Sequence, residues 1–339
     1  MNMRRLILGA ALAASSALIV TAANATTIRL AIAIADSPLK QAQGAHAFED
    51  YVEYRSDGEI QVDLIFGQLG GERELTEMVQ QGQIQMALAS DGAVAGFYKP
   101  IQVLSIPYLF RSSQVAWAFF DSPFLANMME DMRQKTGIRT LYFSENGFRC
   151  FTNNVRPIKT PEDMKGIKMR TMESPVYMRM VEAMGGTATP ISFSELVMAL
   201  QQGVVDGQEN AVADIYENGM VDVQKYLSTD EHVLGTILLM VNDDFYQGLT
   251  EEEKDILKEG ARVGASMSNA VLAASTASYI EKTKEKGKEV HITTGAEKEM
   301  FRKVSQGPVK DYIVGQLGQE LVDGLMAAVA DAEKKVYGQ

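Results

Sequence analysis

A chain of 339 residues with one cysteine, 32 basic and 44 acidic side chains carries a formal charge of −12. That composition excludes an intrachain disulfide and argues against nucleic acid or an anionic membrane as partner. The length suits two ordinary domains, and a small anion stays open as a ligand, because a few arginines in a cleft outweigh net charge within a screening length.

Residues 1–25 have the parts of a secretory leader: Arg4 and Arg5, an apolar run from Leu6 to about Val20, then Ala23-Asn24-Ala25. The run is short for a ~20-residue membrane span. We expect cleavage before Thr26 and a soluble periplasmic protein.

Residues 27–33 alternate as a first strand, and Asp36-Ser37-Pro38 opens a helix with Ser37 as cap, running to about Arg55. A strand over 60–66, a helix over 72–81 and a buried strand over 84–89 give a β-α-β-α-β segment. Helices over 113–120 and 125–135 complete a first lobe near Glu145. A strand over 147–152 enters a second lobe, where Thr160 to Asp163 caps a short helix, 167–170 is a strand and 174–184 a helix. Ser192 and Glu195 have capping-box spacing before the next helix, Gly203 suits its left-handed exit, and a short strand ends at Asn210. From Thr250, with Glu253 completing another capping box, one helix continues to about Lys286 and is long enough to run across both lobes. A return strand over 290–294 and helices over 296–304 and 309–337 close the chain. No low-complexity linker appears, so crossing strands are expected to join the lobes.

Gln80-Gln81-Gly82 and Gln201-Gln202-Gly203 each end a helix and precede a strand. The repetition suggests two lobes built alike, delivering the strand ends Ser90-Asp91 and Glu209-Asn210 toward one place. Ligands of open α/β sheets sit beyond such carboxyl ends.

No phosphate loop, dinucleotide fingerprint or nucleophile elbow is present. His46, His232 and His291 are scattered without metal-ligand spacing and read as structural or solvated. Cys150 reads as a small buried residue, Met180 and Met184 as core filling, and Trp117 as packing. We therefore expect neither cofactor nor metal, and no catalysis.

Several motifs together resemble the extracytoplasmic solute receptors of tripartite ATP-independent periplasmic (TRAP) transporters, in the branch with dicarboxylate and sialic-acid receptors. They are Gln68-Leu69-Gly70-Gly71-Glu72-Arg73-Glu74, Ile106-Pro107-Tyr108-Leu109-Phe110, Gly147-Phe148-Arg149, Met164-Lys165-Gly166-Ile167-Lys168-Met169-Arg170, and Glu195 through Gln201-Gln202-Gly203 to Asp206-Gly207-Gln208-Glu209-Asn210. The resemblance implies a two-lobed α/β periplasmic binding protein with a ligand cleft between the lobes. It also implies that an organic acid is handed to a membrane permease of a small and a large subunit. Arg170 falls on the family's carboxylate clamp, Arg149 on the supporting arginine and Asn210 on the asparagine that caps the same carboxylate. Glu72, Ser90 and Phe193 fall on positions that shape the rest of the pocket, and residues 232–240 cross back toward the first lobe as a further candidate wall.

The expected division is a leader of 1–25, lobe I from 26–146 with about 236–270, and lobe II from 147–235 with about 271–339, in a monomer. The competing reading of Arg170 is a fold brace paired with Glu173 or Glu209. Acceptors at Glu72, Ser90-Asp91 and Asp36-Ser37 favour a sugar acid such as an aldonate or uronate. A hydroxy or keto acid with an apolar tail resting on Phe148 or Phe193, or a C4-dicarboxylate, comes next. An exported enzyme acting on an organic acid and a ligand-sensing adaptor are the readings from other classes.

Overall fold

The computed structural model describes residues 25–338, so residues 1–24 of the expected leader lie outside the described residues. The chain starts with β1 (Thr26–Ile32), α1 (Lys40–Arg55), β2 (Ile60–Phe66), α2 (Glu72–Gln80) and β3 (Met86–Ser90), the order expected from the strand and cap signals. A single turn α3 (Asp91–Val94), a 3-10 segment (Lys99–Ser105), α4 (Ser113–Phe120) and α5 (Pro123–Thr136) lead into β4 (Ile138–Asn153). The alternation resumes with β5 (Lys168–Thr171), α6 (Pro175–Ala183), β6 (Thr187–Pro190), α7 (Phe193–Gln201) and β7 (Gly207–Ala211). Short helices α8 (Val212–Glu217) and α9 (Met220–Val223) precede β8 (Tyr226–Asn242) and α10 (Asp243–Gly248). Last come α11 (Glu251–Glu285), β9 (Glu289–His291), α12 (Gly295–Leu317) and α13 (Gln319–Tyr337).

The strands form one nine-stranded sheet in the order β2-β1-β3-β8-β4-β7-β5-β6, with β9 beside β8. β2-β1-β3 and β7-β5-β6 are parallel triplets, and the steps from β3 to β8, to β4, to β7 are all antiparallel. Three reversals make the triplets run in opposite directions. The carboxyl ends of β3, β5 and β7 therefore point toward each other over the middle of the long β8-β4 pair, which crosses between the triplets as the absence of a linker implied. The β8-β4 register shifts near that middle, between Glu145 and Gly147.

α11 runs 35 residues behind an intact capping box, with Thr250 Oγ1 accepting from Glu253 N and the Glu253 carboxylate accepting from Thr250 N at 2.7 Å. It packs on α1 through Gly44 and Gly264, where a Cβ on Gly264 would sit 2.7 Å from the Gly44 carbonyl oxygen. Backbones this close admit no side chain. α12 packs on α6, whereas α13 returns to α4. No described helix is long and apolar enough to cross a membrane.

Three local expectations fail for identifiable reasons. α1 starts at Lys40, because Ser37 Oγ accepts from Leu39 N and holds an extra turn ahead of the helix. α7 starts after Ser192 without a side-chain cap; the Ser192 hydroxyl lies 3.0 Å from that of Ser194 instead. α12 runs through Pro308, since its buried stripe Phe301, Ser305, Val309, Ile313 continues across the proline and packing outweighs one lost backbone bond. Gly203, at φ +68°, does end the segment after α7.

Replacing Gly264 with Val is expected to force α1 and α11 apart and cost about 1–3 kcal/mol. Urea unfolding would show a lowered midpoint; an unchanged midpoint would mean the two helices have room to spare.

Candidate ligand-binding site

The opposed strand ends and the helices that follow them enclose a cleft of about 590 Å³, part of it open to solvent. All six residues singled out from the sequence, Glu72, Ser90, Arg149, Arg170, Phe193 and Asn210, line it. β3 delivers Ser90, β5 delivers Arg170 and β7 delivers Asn210, while β4 supplies Arg149 from the crossing pair. Glu72 and Phe193 are the first residues of α2 and α7.

The two arginines are held differently. Arg149 is buried, and its guanidinium is taken up by Glu209: Nε and Nη2 donate to the carboxylate, the latter at 2.9 Å, and Nη2 also reaches the Glu209 carbonyl at 2.6 Å. Its Nη1 donates to Asn210 Oδ1 at 3.0 Å, and the group lies over the Tyr177 ring. Glu209 is shared with His232, whose Nε2 is 3.2 Å away and whose Nδ1 is 2.8 Å from Asp230. The buried chain Arg149, Glu209, His232, Asp230 thus alternates in sign. Burial opposes charge throughout it, yet Arg149 and His232 hold Glu209 down at about 2, and Asp230 and Glu209 lift His232 to about 9.

Arg170 is equally buried and has no carboxylate partner among the described residues. Nε donates to the Ile191 carbonyl at 2.7 Å, and Nη1 has no protein partner. Burial, reinforced by the like charge of Arg149, lowers its pKa to about 10, with Glu209 and Glu72 acting in the other direction. The competing reading, a brace to Glu173 or Glu209, is not what the side chains form: neither carboxylate bonds Arg170, and Glu209 is committed to Arg149 and His232. Asn210 stands between the arginines. Its Oδ1 accepts from Arg149, from Asn146 Nδ2 at 3.1 Å and from Ala211 N at 2.9 Å. Three donors on one oxygen fix the amide orientation, leaving Nδ2 as the free donor.

On the opposite wall, Glu72 accepts from Ser90 N at 3.1 Å and from Ser90 Oγ. Burial raises its pKa, while those bonds and the two arginines pull it back. Other expected acceptors are elsewhere. Asp91 is buried behind the cleft, accepting from Ser105 Oγ, and Asp36 pairs with His46 at 3.0 Å, outside the cleft. Phe148 and Trp117 line a separate groove with Glu145. None of residues 232–240 lines the cleft; His232 acts from behind, through Glu209.

Sequence reasoning missed a polar cluster at the α1 side. Lys40 Nζ is 2.8 Å from Asp214 Oδ1, and Gln41 Nε2 donates to Asn146 Oδ1 at 2.9 Å. Gln41, Asn146 and Asp214 line the cleft. A signal existed: Gln41 occupies the stripe of Ala45, Phe48 and Val52, all buried, and Asp214 interrupts the buried run Ala211 to Ile215. Polar residues in apolar stripes mark such interior sites.

Comparison with known proteins gives one family and close structural likeness. The family model described as bacterial extracellular solute-binding protein, family 7 (DctP) matches residues 33–314. A solute-binding protein of Verminephrobacter eiseniae is 34% identical over 309 residues, 91% of each chain. A TRAP periplasmic solute-binding protein of a Bordetella species, with density interpreted as pantoate, is 33% identical with a TM-score of 0.83 over 89% of this chain and 99% of that one. A TRAP periplasmic solute-binding protein of Polaromonas sp. bound to D-erythronate is 30% identical with a TM-score of 0.84, covering 89% and 98%.

The His232 charge has a pH signature. A group lifted from 6.5 to about 9 in the fold contributes stability that is complete below about 6.5 and lost as pH rises through about 9. The melting temperature is expected to fall between those values in the wild type. His232→Gln is expected to lose that slope; the same slope in the variant would remove His232 as its source.

Proposed function

Since this chain belongs to family 7 of the bacterial extracellular solute-binding proteins, the DctP family of TRAP receptors, we propose that it captures a small hydroxylated monocarboxylate and releases it to a membrane permease. A sugar acid such as an aldonate or uronate is the favoured ligand. The protein is exported with its leader removed, acts by binding without catalysis, and meets a permease of one small and one large subunit.

The observation that carries this reading is Arg170: a buried cation lining the cleft, without a carboxylate of its own. A guanidinium offers parallel donors that match a carboxylate, so arginine fixes the acid's orientation better than lysine would. At ~4 Å and an effective dielectric of ~20 the attraction is on the order of 4 kcal/mol before desolvation is subtracted. Asn210 Nδ2 is the second donor to the same carboxylate. Arg149 supports from behind, positioning Asn210 while Glu209 neutralises it. Phe193 provides an apolar wall, and Glu72 with Ser90 accepts hydroxyl protons. The pantoate and D-erythronate attributed to the two neighbours are both hydroxylated monocarboxylates, which supports the same class here.

Release follows from hinge opening. A boundary between the lobes near residues 146 and 236 is supported by the register shift there, where Glu145 faces Thr236 and Gly147 faces Gly235. Irregular pairing at one level of two crossing strands is a natural place to bend.

A thermal-shift screen of Thr26 to Gln339 against sugar acids, hydroxy acids, keto acids, dicarboxylates and neutral sugars is expected to respond to hydroxylated monocarboxylates, since a ligand of the native state raises stability with saturation. Calorimetry with the best acid should then show Arg170→Ala weakening binding by roughly 30- to 5000-fold, the range for removing one partner of a buried charge pair. Unchanged affinity would refute the clamp.

A further inference from the structure

Three residues of the cleft carry a buried polar atom without a protein partner among the described residues: Arg170 through Nη1, Gln41 through Oε1 and Asp214 through Oδ2. One is a donor and two are acceptors. They stand on separate elements: Arg170 on β5, Gln41 on α1 and Asp214 on α8. Gln41 is 8% exposed and Asp214 2%, so water does not readily satisfy them, and an unmet buried acceptor is costly.

We infer that Gln41 and Asp214 form a second polar subsite that selects the ligand by a hydroxyl group remote from its carboxylate. This rests on the receptor reading above and extends it to residues that reading does not use. The charge balance decides which chemistry fits. Asp214 Oδ1 is 2.8 Å from Lys40 Nζ, with Lys40 1% exposed, so the aspartate is already neutralised and requires no ligand cation. Its second oxygen and the Gln41 carbonyl oxygen have only lone pairs to offer. A hydroxyl donates to them directly, whereas a second carboxylate, as in a C4-dicarboxylate, would meet acceptors alone. An apolar tail would leave both unmatched. The amide orientation of Gln41 is fixed because Nε2 donates to Asn146 Oδ1 at 2.9 Å and to Asp214 Oδ1 at 3.4 Å. Lys40 is a positioning residue in this scheme, since it lines no part of the cleft and acts through Asp214.

The test compares matched ligand pairs by calorimetry: D-erythronate with 2,3-dihydroxybutanoate, D-galactonate with D-fuconate, and pantoate with 2-hydroxy-3,3-dimethylbutanoate, each second member lacking only the hydroxyl farthest from the carboxylate, with succinate alongside. In the wild type, loss of that hydroxyl is expected to weaken binding about 10- to 100-fold for the pair the protein accepts, with succinate weaker still. Lys40→Met combined with Asp214→Leu removes both charges together and is expected to bring the ratio within a pair close to one. Gln41→Met, which leaves the ion pair in place, is expected to reduce the ratio and serves if the double variant does not fold. Arg170→Ala should weaken both members of a pair alike and leave their ratio standing.

A ratio near one in the wild type, or one that survives both the double variant and Gln41→Met, overturns the subsite while leaving the receptor reading intact. Succinate binding more tightly than the hydroxy acids overturns it as well. No binding of any acid by the wild type would instead overturn the receptor reading on which the subsite depends.

Discussion

Two arginines and one shared carboxylate set the character of the cleft. Arg149 and Arg170 are both buried, and the pKa of Arg170 is depressed partly by its neighbour's charge. Had Glu209 been placed between them, Arg170 would have a carboxylate partner of its own. Glu209 instead meets Arg149 through two nitrogens and His232 through a third, which leaves the Arg170 cation uncompensated. An unpaired buried charge costs several kcal/mol, and a fold that holds one beside a cleft gains that stabilisation back when an anion arrives. On the receptor reading proposed above, affinity for a carboxylate follows from the arrangement of the protein's own carboxylates.

The sheet topology is what brings these groups to one place. Parallel triplets separated by three antiparallel steps aim their carboxyl ends at the same central level of β4 and β8, so residues far apart in sequence converge without a long loop. The same two strands carry Arg149 and His232, and thereby tie the charge chain to the crossing region. α11 runs behind α1, whose first turn carries Gln41 to the cleft and Lys40 to Asp214. Position of the polar cluster therefore depends on the close seating of Gly44 against Gly264.

Much of this was legible in the sequence, and the exceptions share a cause. The glycine exit at Gly203 and the box at Thr250 are local signals, and each is where the local rule puts it, whereas β4 begins at Ile138 rather than at Gly147, β9 ends at His291 and Gly318 splits the helix expected over 309–337. The six candidate site residues line one cleft because the motifs that carry them sit at strand ends or helix starts. Asp36, Asp91 and Phe148 are expected at the cleft and lie elsewhere: Phe148, next to Arg149 on β4, points to the other face of the strand, Asp91 opens α3 and turns to Ser105, and Asp36 pairs with His46. Lys40, Gln41 and Asp214 were missed because their partners are distant in the chain, with 174 positions between Lys40 and Asp214. Pro308 misled for a related reason. Its local preference is to end a helix, and a buried stripe contributed by tertiary packing overrode it.

The most direct measurement of the central claim is a crystal structure of the protein with its preferred hydroxy acid bound. The account requires a carboxylate oxygen about 2.7–2.9 Å from Arg170 Nη1, a charge-assisted distance, with Asn210 Nδ2 on the same group and Arg149 still paired to Glu209. A ligand whose carboxylate lies away from Arg170, or an Arg170 turned onto Glu173 or Glu209 in the complex, would contradict it.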